Sequence, residues 1–312
     1  RFAAAALRQG TLAAVCDPHE IANVLGVEGI RGFLADAKDA PFSFVFGAPS
    51  CVPATPLETS GAALDADDIR TLFSEDGLAF LGEVMNVPGV LSGDSGLEAR
   101  LEAARKAGLP IDGHAPGLLG PDLRSYIVAG ITTDHECSSA AEALEKIRQG
   151  MWIQIREGSA ARNFDDLLPL FFEAPGRLML ASDDKHPDDL MAGHINLLAA
   201  RALAAGVPLG LVLRVACVNP VMHYRIPLGL LRPGDSADWI VVEAPLEKMQ
   251  VSESWYHGRC VMRDGVYAGT LPPVTIQNRF AHIGVREDSL LPMASRTACQ
   301  KFQARVRVIE IE

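Results

Sequence analysis

Seven short apolar runs recur in the first part of the chain, and each one gives way to polar residues. Leu12–Cys16 runs into Asp17-Pro18-His19-Glu20, Phe42–Phe46 into Gly47-Ala48-Pro49-Ser50-Cys51, and Leu78–Gly82 into Glu83-Val84-Met85-Asn86. Leu109–Ile111 leads to Asp112-Gly113-His114-Ala115-Pro116-Gly117, and Ile127–Ile131 to Thr132-Thr133-Asp134-His135-Glu136. Met151–Ile155 precedes Arg156-Glu157-Gly158-Ser159, and Leu178–Ala181 precedes Ser182-Asp183-Asp184-Lys185-His186-Pro187. Apolar runs of this length, without polar alternation, predict strands buried on both faces. Segments of helix length, such as Gly96–Ala107 and Ser139–Gln149, lie between them. From Asp17 through Ser50, Glu83, His114, His135 and Arg156 to Asp183 the intervals are 33, 33, 31, 21, 21 and 27 residues, room for a strand, a helix and two loops. Such an alternation predicts a parallel sheet covered by helices.

Two parallel architectures compete. A doubly wound sheet gathers its ligand residues at one switch point, usually beside a glycine-rich phosphate loop. Neither G-x-G-x-x-G nor G-x-x-x-x-G-K-[ST] occurs here, and polar residues follow every strand. Functional groups at the C-terminal ends of many strands belong to a TIM-like (β/α)8 barrel, which is the fold class expected. Seven strands are counted, and Arg1–Gly10 opens in a helical pattern, so the reading places the first barrel strand upstream of Arg1.

Beyond the seventh run the pattern changes. Asp188–Ala205, Leu209–Cys217 and Pro220–Tyr224 read as helices, and a turn-rich stretch from Gly229 to Asp238 feeds strands at Trp239–Glu243, Trp255–Cys260 and Val266–Ala268. The division expected is a barrel over 1–225, a small β-sandwich-like part over 226–270 and, over 271–312, the beginning of a truncated C-terminal domain ending in the alternating run Arg305–Glu312.

Composition narrows the function. Hydrophobic residues make up 48% of the 312 positions and charged residues 21%, enough apolar surface for a substantial core and against disorder. Lys and Arg number 28 against 39 Asp and Glu, a net charge of −11. That sign opposes phosphate backbones and anionic membranes, so neither nucleic acid nor membrane is expected as a partner. The apolar stretch Ala202–Leu213 is too short to span a bilayer and contains Gly206 and Pro208. Six Cys, none as C-x-x-C, suit reduced thiols and a cytoplasmic protein.

The residues after the strands suggest metal chemistry. Glu83, His114, His135 and Asp183 bring two carboxylates and two imidazoles from four strand ends to one rim, a donor set suited to zinc, iron or manganese. A divalent cation activates water at neutral pH. Each residue has a plainer reading. Asp183 and Asp184 could cap the helix after Pro187, Glu83 could be a buried ion-pair partner, and a single strand-end His is often only hydrogen-bonded. The turn around His114 favours its exposure, and Asp134 and Glu136 flank His135 as orienting partners. His186, His194, His223, His257 and His282 lack such a context. The H-x-E with P-C-x-x-C zinc spacing and the G-x-S-x-G elbow are both absent, and Cys51, beside Pro53, is read as structural.

The order Glu, His, His, Asp at successive strand ends resembles the metal-dependent amidohydrolase superfamily. The strings Asp17–Val24, Pro49–Ala54, Gly82–Asn86, Asp112–Gly117, Asp134–Glu136, Ile155–Ser159 and Asp183–Pro187 resemble its bacterial and archaeal adenine deaminase family, with likeness running from Arg1 to at least Asn278. The resemblance implies hydrolysis of adenine to hypoxanthine and ammonia at one or two divalent ions, Mn2+ or Fe2+ with Zn2+ as a third choice, in a homo-oligomer. It implies that Glu83 bridges two metals, that His114 and His135 ligate one, and that Asp183 ligates and shuttles a proton. Glu157 and Glu136 are the candidates to protonate the ring nitrogen beside C6. Asp17, His19, Glu20, Asp134, Arg156 and Asp184 are candidates to line the mouth or support the ligands. The family's H-x-H pair does not occur in the chain, consistent with its strand lying upstream. The alternatives are an amidohydrolase acting on a cyclic amide or imide, and a metal-binding scaffold without turnover.

Overall fold

The computed structural model describes residues 1–55 and 57–271. Seven parallel strands appear in it: β1 (Ala13–Cys16), β2 (Ser43–Ala48), β3 (Phe80–Val84), β4 (Ile111–Gly113), β5 (Thr133–Asp134), β6 (Trp152–Arg156) and β7 (Leu178–Ala181). They pair in chain order, β1 to β4 and β5 to β7. The Thr132 amide donates to the Ile111 carbonyl at 2.9 Å and carries the order across from β4 to β5. All the strands therefore point the same way, and their C-terminal ends form one rim.

The two faces of this sheet have different neighbours. Ala13, Val15, Val45, Phe80, Trp152 and Met179, from five strands, meet on the inner face around Tyr224 and Ile226. Their outward neighbours Phe44, Phe46 and Leu81 pack with Ile69, Leu101 and Tyr126 of the covering helices. Ile153, Ile155 and Leu178 do the same with Leu198 and Val212. A parallel sheet buried on both faces and curled so that distant strands share an interior is barrel construction. Among the described residues β1 pairs only with β2 and β7 only with β6.

Four antiparallel strands form a separate sheet: β8 (Trp239–Val242), β9 (Val251–Tyr256), β10 (Arg259–Arg263) and β11 (Val266–Tyr267), in the order β11-β10-β9-β8. The first helix, Phe2–Arg8, buries Ala3, Ala6 and Leu7 against Val261 and Met262. The expected segment starting at residue 271 and the strand-like run 305–312 lie outside the described residues, apart from Leu271 itself.

Several sequence-based boundaries need correction. The run Ile127–Ile131 is not a strand, because the helix Gly120–Val128 takes in its first two residues, leaving Val128 78% exposed, and Ala129–Gly130 form a turn. The strand is the polar pair Thr133–Asp134, held by its register with Trp152 and Ile153. The fourth strand begins at Ile111, where the Leu109–Ile111 run ends. Asp188–Ala205 is two helices, Pro187–Ala192 and Ile195–Ala204, separated at Gly193. Trp255–Cys260 is a hairpin corner, with His257 at φ 50° and Gly258 at φ 73° between β9 and β10.

Candidate metal centre

Glu83 lies in the last turn of pleat of β3, His114 and His135 directly follow β4 and β5, Arg156 closes β6, and Asp183 stands two residues past β7. The Glu83 Oε2 oxygen lies 3.0 Å from His114 Nδ1 and 3.1 Å from His135 Nε2. Ligands held about 2.1 Å from a tetrahedral cation sit about 3.4 Å from one another. These two separations, with all three donor atoms within 4.8 Å of one another, are compatible with one coordination shell. The second oxygen of Glu83 faces the other way, 3.8 Å from His19 Nδ1, and that nitrogen is 3.4 Å from Asp17 Oδ2. Glu83 is shared by two donor groups, one with His114 and His135, the other with Asp17 and His19.

Asp17 is fixed from below: its Oδ2 accepts the Glu83 amide at 2.9 Å. Its other oxygen and His19 Nδ1 are buried without a hydrogen-bond partner among the described residues. Unpaired buried polar atoms are costly and uncommon, and a divalent cation, displacing the imidazole proton, would satisfy both. The donor set of carboxylate oxygens and imidazole nitrogens suits zinc, iron or manganese.

A second layer of charge surrounds the histidines. Glu136 Oε1 is 3.3 Å from His135 Nε2 and 3.4 Å from His114 Nδ1. Arg156 grips Glu136 with both terminal nitrogens, at 2.5 and 2.7 Å, and reaches Asp183 Oδ2 at 2.7 Å. His135, Glu136 and Asp183 form a third donor group. Asp183 has φ 50°, a left-handed backbone that Asp adopts more readily than most residues. Asn163 fixes the floor: its Nδ2 donates to the His135 and Cys137 carbonyls at 3.0 Å, and its Oδ1 accepts the Arg156 amide at 2.8 Å.

Electrostatics follow from this crowding. Burial opposes charge on His135, but Glu136, Glu83 and Asp183 outweigh it and lift its pKa to about 10. Burial likewise disfavours a charged His19, while Asp17, Glu20 and Glu83 raise it to about 9. Burial alone would raise Glu83, yet His114 and His135 hold it well below the usual carboxylate range. Burial also acts on Glu136, which His135, Arg156 and His114 keep low.

The other sequence candidates fall in different places. Glu20 Oε1 lies 3.4 Å from His19 Nε2, at the same mouth. The Glu157 carboxylate pairs with Arg201 at 2.7 Å, and Arg201 also holds Asp165 at 2.7 Å. Asp184 is exposed and offers its carbonyl to the Ser159 amide at 2.8 Å. Asp134 is fully buried, its carboxylate 2.8 Å from Lys146 Nζ and behind the ring it was expected to flank. His282 lies outside the described residues. Sequence reasoning passed over Lys146, Tyr126, Asn163 and Arg201. Lys146 gave a misleading signal, since an i,i+4 pair with Glu142 reads as an ordinary solvated ion pair.

Donor residues supplied one by one from the strand ends of a parallel barrel define a class of metal-dependent hydrolase. The chain belongs to the amidohydrolase family, whose model matches residues 1–267. Its sequence is 54% identical over 264 residues to the adenine deaminase of Salinibacter ruber, covering 85% of this chain and 48% of that protein. It is 46% identical over 313 residues to the adenine deaminase of Methanosarcina mazei, covering 99% of this chain and 56% of the relative. The chain thus spans about half the length of the curated relatives it matches. In fold it is similar to a β-aspartyl dipeptidase from Fervidobacterium islandicum, with a TM-score of 0.64 and 16% identity over 86% of this chain and 77% of that one. It is also similar to an N-acetyl-D-glucosamine-6-phosphate deacetylase from Mycobacterium smegmatis, with a TM-score of 0.58 and 17% identity over 83% of this chain and 80% of the other.

Proposed function

We propose that this chain carries the metal centre of an adenine deaminase, replacing the 6-amino group of adenine by oxygen to give hypoxanthine and ammonia. The observation that carries the reading is the single Glu83 oxygen 3.0 and 3.1 Å from two imidazole nitrogens, with its partner oxygen turned towards His19. Similarity to adenine deaminases supports the choice of substrate.

On this reading Glu83, His114 and His135 would hold one divalent cation, and Asp17, His19 and Glu83 could hold a second. Mn2+ or Fe2+ is proposed, with Zn2+ next. Such a cation would supply a water nucleophile at neutral pH, its bound water having a pKa of about 7 in place of 15.7. Asp183, at the open rim, takes a proton from the attacking water and delivers it to the departing amine as the C6–N bond breaks and C6–O forms. General acid–base help of this kind is worth about 10²–10⁴ in rate. Arg156 anchors Asp183 and Glu136. Of the two candidates for ring protonation Glu136 is the one at the centre, 3.3 Å from His135 Nε2 and 3.4 Å from His114 Nδ1, whereas the Glu157 carboxylate pairs with Arg201. Held ionised by its cationic neighbours, Glu136 would first take up a proton before passing it to the ring. No helix among the described residues is long and apolar enough to cross a membrane. Free Cys16, Cys51, Cys137, Cys217 and Cys260 suit a reducing, cytoplasmic setting.

The test is to load the chain with Mn2+ or Fe2+, supply adenine, and measure ammonia, hypoxanthine and metal per chain. Equimolar ammonia and hypoxanthine support the reading. Bound metal without turnover favours a scaffold, and hydrolysis of a cyclic amide in place of adenine favours the other amidohydrolase chemistry; either result overturns it.

A further inference from the structure

Behind the two histidines lies a buried ionic cluster that touches neither ring. Lys146, on the helix Ala140–Arg148, has a side chain with no solvent exposure. Its ammonium donates to the Ala115 carbonyl at 2.7 Å, Asp134 Oδ2 at 2.8 Å and Glu142 Oε1 at 2.6 Å. A lysine has three N–H donors, and all three are used.

The acceptors hold two loops at once. Asp134 Oδ1 accepts the Ala115 amide at 2.9 Å and the Glu136 amide at 3.3 Å. Asp134 Oδ2 accepts from Cys137 Sγ at 3.1 Å. Glu142 accepts the Gly117 amide at 2.9 Å through Oε1, and the Ser138 amide and hydroxyl at 3.1 and 3.2 Å through Oε2. Ala115 and Gly117 belong to the loop that begins at His114. Asp134, Glu136, Cys137 and Ser138 surround His135. Asp134, Cys137 and Glu142 are close enough together to form a donor group of their own, but the Lys146 ammonium bonds both carboxylates in that space.

Two carboxylates and one ammonium leave a buried excess of one negative charge. Taking such charges out of water costs several kcal/mol per ion, and an apolar replacement is often as stable or more so. A cluster of this kind gives little reason for itself as a source of stability, whereas its bonds all converge on the loops flanking the two histidines. We infer that Lys146 is a positioning residue for the candidate metal centre: its ammonium locks the loop after β4 to the loop after β5 and thereby sets the separation of His114 and His135 at one Glu83 oxygen. The inference deepens the proposed function and rests on its assignment of the two histidines as ligands.

The test compares Lys146→Met and the charge-relieved double variant Lys146→Met/Glu142→Gln with the unchanged chain and with Arg105→Met. Arg105 donates to the Ala129 carbonyl at 2.6 Å and to Glu98 and Glu102, bonding neither of the loops that flank the histidines, and controls for general loosening. Circular dichroism selects the variants that fold. Co2+ is then titrated, with its visible absorption as the reporter of ligand geometry. Removing partners that orient ligands typically weakens metal binding 10–100-fold. A loss of that size with an altered Co2+ spectrum, in a folded Lys146 variant but not in Arg105→Met, is the expected result. Unchanged affinity and spectrum overturn the inference, as does an equal loss in Arg105→Met. If the unchanged chain takes up no Co2+, the metal reading itself has failed. The inference is then judged on metal-free protein by the 15N shifts of the His114 and His135 rings, which must move in the Lys146 variant and not in the control. Should no Lys146 variant fold, Glu142→Gln alone is carried through the same measurements and must shift them in the same direction.

Discussion

The phenol of Tyr126 ties His114 to β3. Its oxygen accepts the His114 amide at 3.0 Å, and its hydroxyl donates to the Val84 carbonyl at 2.7 Å. Val84 adjoins Glu83, so one fully buried side chain fixes both partners of the shortest carboxylate–imidazole contact in the centre. Tyr126→Phe leaves the Val84 carbonyl and the His114 amide unsatisfied, at about 1–3 kcal/mol for each buried group. The expected outcome is a lower midpoint in chemical denaturation together with weaker divalent-metal binding. A stable variant with unaltered metal affinity contradicts the tie.

Asp183→Asn keeps the shape of the rim and removes the proposed proton carrier. On the proposed reading, turnover of adenine is expected to fall about 10²–10⁴-fold, with metal content retained because the proposed ligands Glu83, His114 and His135 are untouched. Steady-state kinetics beside metal analysis checks this, and near-normal turnover removes Asp183 from the chemistry.

Metal uptake should release protons. In the metal-free chain His135 is raised to about 10 and His19 to about 9, so both are protonated at pH 7. A cation must displace those protons, and apparent affinity therefore rises with pH up to about 9–10. Calorimetry in buffers of different ionisation heat reads the released protons directly. The same shifts fix a stability trend for metal-free protein. A raised histidine stabilises the fold fully below its unfolded pKa of about 6.5, and that contribution is lost as pH rises through 9–10.

His194 produces the opposite slope on the acid side. It is 4% exposed, and among the described residues its ring bonds only Thr11 Oγ1 (2.7 Å) and leaves a buried Nε2 without a partner. Burial, with Lys185 nearby, pushes its pKa down to about 4. The unfolded chain takes up a proton near pH 6.5 while the folded chain does not, so stability falls as pH drops from 6.5 to 4, by on the order of 3 kcal/mol. Denaturation midpoints measured across that range should slope downward towards acid, and His194→Gln should flatten the slope.

How much of this could be read from the amino acids depended on whether a residue acts through its own neighbours in sequence. Glu83, His114 and Asp183 follow plain apolar runs, and their places at the rim could be inferred from those runs alone. The fifth strand could not. Its two polar residues carry no apolar pattern, and the tempting run before them is a helix end whose buried members, Leu123 and Tyr126, recur at helical spacing. Asp134 looked like a partner for the ring beside it, but a carboxylate inside β5 with a lysine behind it turns away from the mouth. Glu157 follows its strand as the others do, and only tertiary packing brings Arg201 from a later helix to claim it.

One missing methyl group governs how closely the first and third strands can cooperate. At Gly82 a Cβ would sit 2.2 Å from the Asp17 carboxylate, the group that receives the Glu83 amide. Any larger residue there would evict that carboxylate, and with it the chemistry contributed by β1. On the proposed two-cation reading, Gly82→Ala is therefore expected to behave as a split lesion: the His114–His135 half should still take up an ion, the Asp17–His19 half should not, and metal per chain should drop without the molecule unfolding.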